Sequence, residues 1–175
     1  AENISRQTAL PNRDIAFKNH IEEAIRWYAQ LRKIYPGWNA DYVLFSMAEN
    51  YVKLKNFASA ERVYKELIQN ERRSPLLSDA LLALGNLYFE RRGYALARNY
   101  FRQILGTQEL KLHAYAHYKI GWCFFNEAEH ESAMIALEKA IRESRRLQEL
   151  QDDKRLGVEE EALSDLVLFY SEHAD

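Results

Sequence analysis

The residues of this chain best suited to chemistry lie close together between His113 and Glu131. Cys123 is the only cysteine, and it stands between His117 and His130 with Glu127, Glu129 and Glu131 nearby. A thiol among imidazoles is the composition of a cysteine nucleophile or of a metal site. His113 and His117, four residues apart, would share one face of a helix and could present two nitrogens to a metal ion. Both sets are incomplete. A metal takes three or four ligands, and the nearest further carboxylate, Glu109, falls in a connector. A thiol nucleophile needs a base that a third group orients, and none stands in register with Cys123 and His130. No glycine-rich phosphate loop, nucleophile elbow or zinc motif occurs elsewhere. The expectation is therefore no catalytic residue, no metal ligand and no cofactor.

The elements that carry these residues follow from composition and from a repeat. Of 175 residues, 47% are apolar and 29% charged, with a net charge of −2. That balance builds a folded core and leaves no broad basic surface for nucleic acid. The arginines of "NERRS", "FERRGY" and "RESRRL" recur with acids interleaved, which suits a solvated face. With six Gly and three Pro, long helices with short connectors are expected. No uninterrupted apolar run reaches membrane-spanning length, so no direct membrane insertion is expected. One cysteine excludes an internal disulfide and leaves the compartment open. A start at Ala1 is expected of a processed or excised piece. Asn3-Ile4-Ser5 matches the short glycosylation acceptor pattern.

The chain repeats itself. Met47, Leu84 and Ile120 are each followed by a small residue, Ala48, Gly85 and Gly121, and four on by an aromatic, Tyr51, Tyr88 and Phe124. Thirteen residues on stand Ala60, Ala97 and Ala133, then Tyr64, Phe101 and Leu137, then Leu67, Ile104 and Ala140. Apolar residues at this spacing mark one face of each of two helices, with a break at "KNF", "RRGY" and "AEH". The small residues fall where the two helices approach closely, so a larger side chain there would force them apart. In this frame Cys123 holds the slot of Leu87 and Asn50, His117 that of Leu44 and Leu81, and His130 that of Phe57 and Tyr94. Each reads as a packing residue.

This pattern resembles the tetratricopeptide repeat, a helix–turn–helix unit of about 34 residues. The resemblance implies an all-α, right-handed superhelical solenoid of antiparallel helix pairs, about eight helices, forming a single domain over residues 1–175. Three full repeats are expected at 41–76, 78–111 and 114–153. A half repeat at 14–36 precedes them, with Ala24, Tyr28 and Leu31 in the second-helix slots. Pro11 interrupts the region where its first helix would be, so that helix is expected to be short or absent. A charged continuation, Glu143 to Arg155, lengthens the last second helix. Residues 157–173 are expected to form the first helix of a further, truncated repeat, with Leu166 and Tyr170 in phase. Half units at both ends imply a window from a longer protein, or ends that meet a partner. Leu163, Leu166, Val167, Phe169 and Tyr170 are the apolar residues the last helix would offer.

By the same resemblance, the outward face of each first helix lines a concave groove for a peptide or a partner helix. The matching positions are Tyr42, Phe45, Glu49, Val52 and Lys53 in the first full unit. Asp79, Leu82, Asn86, Phe89 and Glu90 match in the second, and Tyr115, Tyr118, Trp122, Phe125 and Asn126 in the third. Tyr and Trp give large contact area at low entropic cost, and they pack cores equally well. Packing against the last helices is therefore the alternative use for some of them. Family members that clamp a carboxylate terminus place cations where Phe45, Leu82 and Tyr118 stand, and Lys53 is alone, so an apolar groove is expected instead. The function expected is a non-catalytic scaffold with a protein partner, either a peptide segment or a helix. The alternatives are an assembly module that self-associates through its end helices, and a thiol or metal site at Cys123 and His117. "GWCFFNEAEHESAMIALEKAI" with the tail "EEEALSDLVLFYSE" is also similar to repeat scaffolds of the cell envelope and motility machinery of gliding and predatory bacteria. That similarity implies an envelope or periplasmic setting, with the cytoplasm as the alternative.

Overall fold

A computed structural model describes residues 10–151 and 157–173. Asn3-Ile4-Ser5 and the segment 152–156, where the charged continuation was expected to end, lie outside the described residues. Eight α-helices and no strands occur among the described residues. They are α1 (Leu10–Ile34), α2 (Ala40–Lys53), α3 (Phe57–Asn70), α4 (Leu77–Glu90), α5 (Tyr94–Ile104), α6 (Lys111–Asn126), α7 (His130–Gln151) and α8 (Glu159–His173). The chain divides into two compact units, 1–77 with α1–α3 and 78–175 with α4–α8.

No separate first helix precedes α1 among the described residues, and the region before Leu10 lies outside them. Pro11 belongs to α1 itself. It lies in the first turn of α1, where its missing amide has no intrahelical partner to lose and its fixed φ suits the helix. In the first unit, α2 buries Val43, Leu44, Met47 and Ala48, and α3 buries Ala60, Val63, Tyr64 and Leu67. Arg32 of α1 pairs with Glu66 of α3.

In the second unit, α4 and α5 meet at Gly85. A Cβ added there would stand 2.5 Å from Cε1 of Phe101, whose side chain is wholly buried. Tyr88 and Tyr100 stack across the same pair at 5.5 Å. Between α6 and α7 the approach is looser, since a Cβ on Gly121 would meet Leu137 at 3.0 Å. The small residues do sit where helices come closest. The core of α6–α8 gathers Ala133, Leu137, Ala140, Ala162 and Phe169. Burying the larger of these contributes roughly 1.5–3 kcal/mol each. The corner into α8 turns at Gly157 (φ +110°), and Ser144 Oγ accepts a hydrogen bond from Val158 N at 3.0 Å.

The turns inside the three full pairs share one backbone. Lys55, Arg92 and Ala128 occupy the same repeat position, and all are left-handed, with φ of 56°, 59° and 59°. The next amide in each closes on the aromatic of the preceding helix: Asn56 N to Tyr51 O, Gly93 N to Tyr88 O, and Glu129 N to Phe124 O, at 2.8–2.9 Å. This bond between residues five apart is the helix stop that satisfies an otherwise orphaned carbonyl.

Candidate functional site

In the first unit, the outward face of α2 is partly engaged by its own pair. The hydroxyl of buried Tyr64 donates to Glu49, and Phe45 meets the Tyr64 ring edge-on at 5.9 Å. Burial and this carboxylate both raise the Tyr64 pKa above its ordinary value. Tyr42 and Lys53 are exposed, and Val52 is partly buried.

In the second unit, α4 contributes Leu82, Asn86 and Phe89, all partly buried, with Asp79 and Glu90 exposed at the rim. The Oδ1 atom of Asn86 is buried and has no hydrogen-bond partner. A buried acceptor left without a donor costs about 1–3 kcal/mol. Lys119 of α6 lays its ammonium over the Phe89 ring at 3.9 Å, and burial lowers its pKa. Tyr94 packs edge-on to Phe89 at 5.5 Å, and its hydroxyl donates to Asn126 Oδ1 at 3.0 Å. Asn126 in turn donates to Trp122 O at 2.7 Å.

Three of the residues expected to line the groove instead hold α8. The Tyr118 hydroxyl and Trp122 Nε1 both donate to Asp165 Oδ2, at 2.8 and 2.9 Å. Phe169, fully buried, stacks on Phe125 at 4.0 Å and meets Trp122 edge-on at 5.2 Å. Burial and the Asp165 hydrogen bond push the Tyr118 pKa up to about 12. Phe169 is thus covered, and Leu166 partly so, whereas Leu163, Val167 and Tyr170 stay exposed. Tyr115 stands beside Tyr118 at 6.1 Å, partly buried, and burial raises its pKa.

The side chains that first suggested chemistry are used in packing. Cys123 is fully buried, and burial pushes its thiol pKa up to about 12, so at neutral pH it is the unreactive thiol. His130 packs edge-on to Phe125 at 5.6 Å. His113 Nε2 donates to Thr107 O at 3.1 Å. His117 is partly buried, and its pKa is lowered first by burial and then by Lys139. Among the described residues no group of three or more His, Cys, Asp or Glu is placed to hold a metal ion. No helix among them is long and apolar enough to cross a membrane.

Two stretches of the sequence, 42–74 and 82–146, match models of the tetratricopeptide repeat, and together they cover more than half of the chain. The chain belongs to the tetratricopeptide repeat family. Solved structures agree on the fold. A MamA RS-1 double mutant is similar over 99% of this chain and 98% of its own, at 17% identity and a TM-score of 0.57. A crystal structure of MamA is similar over 91% and 94%, at 19% identity and 0.56. BtubC from P. vanneervenii is similar over 90% of this chain and 66% of its own, at 16% identity and 0.66. Among curated proteins none matches the sequence significantly. As a tetratricopeptide repeat protein the chain is a protein-interaction scaffold, and the family's scaffolds are non-catalytic.

Sequence reasoning missed two residues of this region, Lys119 and Asp165. Lys119 had a signal, because its repeat position holds the small residues Ser46 and Ala83 elsewhere. Asp165 had none, since its partners on α6 lie more than 40 residues away in sequence. For Phe169, named among the apolar residues of the last helix, the distance hid only its partner Phe125.

Proposed function

We propose that this repeat protein binds a peptide segment or helix of a partner protein on its first-helix faces, with Asn86 as the polar anchor. One observation carries the reading: the buried, unpartnered Oδ1 of Asn86 on α4. Rotation of the Asn86 amide toward the groove would bring this enclosed atom to a backbone N–H of a bound segment, with Leu82, Phe89 and the Lys119 stem flanking it with apolar surface. Tyr115 and Asn126 extend this face along α6, and Tyr42, Phe45, Glu49 and Lys53 form the corresponding face of the first unit. Tyr118, Trp122 and Phe125 set its wall through α8 more than they offer free surface. The similarity of the 121–141 stretch and the tail to envelope and motility scaffolds extends the proposal to a bacterial multiprotein complex as the setting.

The test is selection of binders from a displayed library of random peptides on the immobilised chain. Affinities of the selected peptides are then measured for the chain and for Asn86→Leu. The substitution should weaken binding about tenfold while leaving the unfolding midpoint unchanged or raised, because it removes an unmatched acceptor. Equal affinity for both proteins, or no peptide selected, would remove the basis of the proposal.

A further inference from the structure

The packing slots of the two end helices are open in complementary ways. In the full pairs, the first-helix slots Leu44, Met47 and Ala48, and likewise Leu81, Leu84 and Gly85, are buried against the second helix. On α8 the same slots are Leu163, Leu166, Val167 and, with the aromatic, Tyr170. Leu163, Val167 and Tyr170 are 41%, 71% and 52% exposed. The opposite face shows the converse. The second-helix slots Ala60, Tyr64 and Leu67 are wholly buried, whereas their counterparts on α1, Ala24, Tyr28 and Leu31, are only partly buried. So α8 is a first helix without a second among the described residues, and α1 is a second helix without a first.

Charge matches in the antiparallel sense that the complete pairs use. There the start of the first helix lies beside the end of the second, as the Ser78–Thr107 hydrogen bond at 2.9 Å shows for α4 and α5. The first turn of α8 is acidic, Glu159, Glu160 and Glu161, and the last turn of α1 is basic, Arg32 and Lys33. Arg32 and Glu159 already have partners in Glu66 and Arg145, while Glu160, Glu161 and Lys33 are exposed.

We infer that two copies of this chain join head to tail, α8 of one copy pairing with α1 of the next to complete a repeat. The contact is heterologous, so it leaves one open face at each end and can propagate. Val167 shapes its strength. Ala48, Gly85 and Gly121 hold this slot elsewhere, and the added bulk of valine opposite Tyr28 seats the second helix further out. The junction is accordingly weaker than the pairs within a chain, and reversible.

Light scattering of the 175-residue chain over a concentration series tests this, with circular dichroism confirming that each variant is folded. The mass should climb past two copies as concentration rises, and added salt should lower it. Val167→Glu and Tyr28→Glu should each hold the chain at the 20.6 kDa of one copy. Their equimolar mixture should yield a two-copy species and nothing larger, since only one intact junction remains. Val167→Ala should tighten association several-fold, whereas a merely sticky apolar patch would weaken. A wild-type chain that stays at one copy throughout would overturn the inference. It would leave the α8 face to another occupant, such as chain beyond residue 175 or a different protein. Association surviving in either charged variant, or a mixture that stays monomeric, would overturn it equally. None of these outcomes depends on Asn86, so peptide binding can stand or fall separately.

Discussion

Glu49, Asn86 and Trp122 occupy one and the same position in three successive repeats, yet their partners differ in kind. Glu49 accepts the Tyr64 hydroxyl of its own pair. Trp122 donates to Asp165 of the following first helix. Asn86 leaves its Oδ1 buried with nothing to accept from. A repeat therefore fixes where a side chain points, while its neighbours decide whether it is structural or available. The α6 face, richest in aromatics and the most inviting as a recognition wall, is largely committed to α8. The plainer α4 face holds the unmatched group.

Breaking the α6 side of this comparison should have the largest effect. Phe169→Ala removes a wholly buried ring stacked on Phe125, and should cost about 3–4 kcal/mol in denaturant unfolding. Trp27 and Trp38 are already exposed, so a red shift in tryptophan emission would report Trp122 losing its cover. An unchanged midpoint would mean that α8 is not held there. Next comes the seam behind the α4 face. Gly85→Ala should destabilise by roughly 2 kcal/mol and Gly121→Ala by less, because Phe101 is boxed in at 2.5 Å whereas Leu137 can yield at 3.0 Å. The reverse order in chemical denaturation would contradict the assigned close approach.

Asp165→Ala should cost about 1–2 kcal/mol, as two donors lose a charged acceptor at a partly solvated site. The Tyr118 phenol should then titrate lower than about 12 in an ultraviolet pH titration, though still above its ordinary value because burial persists. The smallest effect concerns His117, whose folded pKa lies below its ordinary 6.5. The unfolded chain then takes up a proton that the folded chain refuses, so this contribution to stability is complete above pH 6.5 and is lost as pH falls through the folded pKa. His117→Leu, the residue of the neighbouring repeats, should raise Tm by a few degrees at pH 5.5 and by less at pH 8. A pH-independent gain would show that the imidazole does not titrate with folding.

The fold was legible because a repeat states each packing slot three times over. Ala60, Ala97 and Ala133 read as close-approach positions, and all three are fully buried. Cys123 and His117 read as packing residues by the same comparison, and Cys123 is wholly enclosed. The helix-stop residues were hidden, because Lys55, Arg92 and Ala128 carry none of the Gly or Asn that usually marks a left-handed turn. The start of α1 at Leu10 was hidden, since proline ends a helix or begins one depending on a boundary that periodicity places poorly. The site was half legible. Slot matching located the first-helix faces, but the α6–α8 clasp depends on the register between helices distant in sequence, which no local pattern encodes.

The division of labour between α4 and α6 can be tested in one titration. A selected peptide is added to the isotope-labelled chain while backbone and side-chain amide resonances are followed. The account predicts that the Asn86 side-chain amide and the backbone signals of Leu82, Phe89 and Lys119 shift with ligand, while those of Ala162, Asp165 and Phe169 stay in place. Movement or broadening of the α8 signals with Asn86 unchanged would contradict it, showing that the ligand displaces α8 from α6.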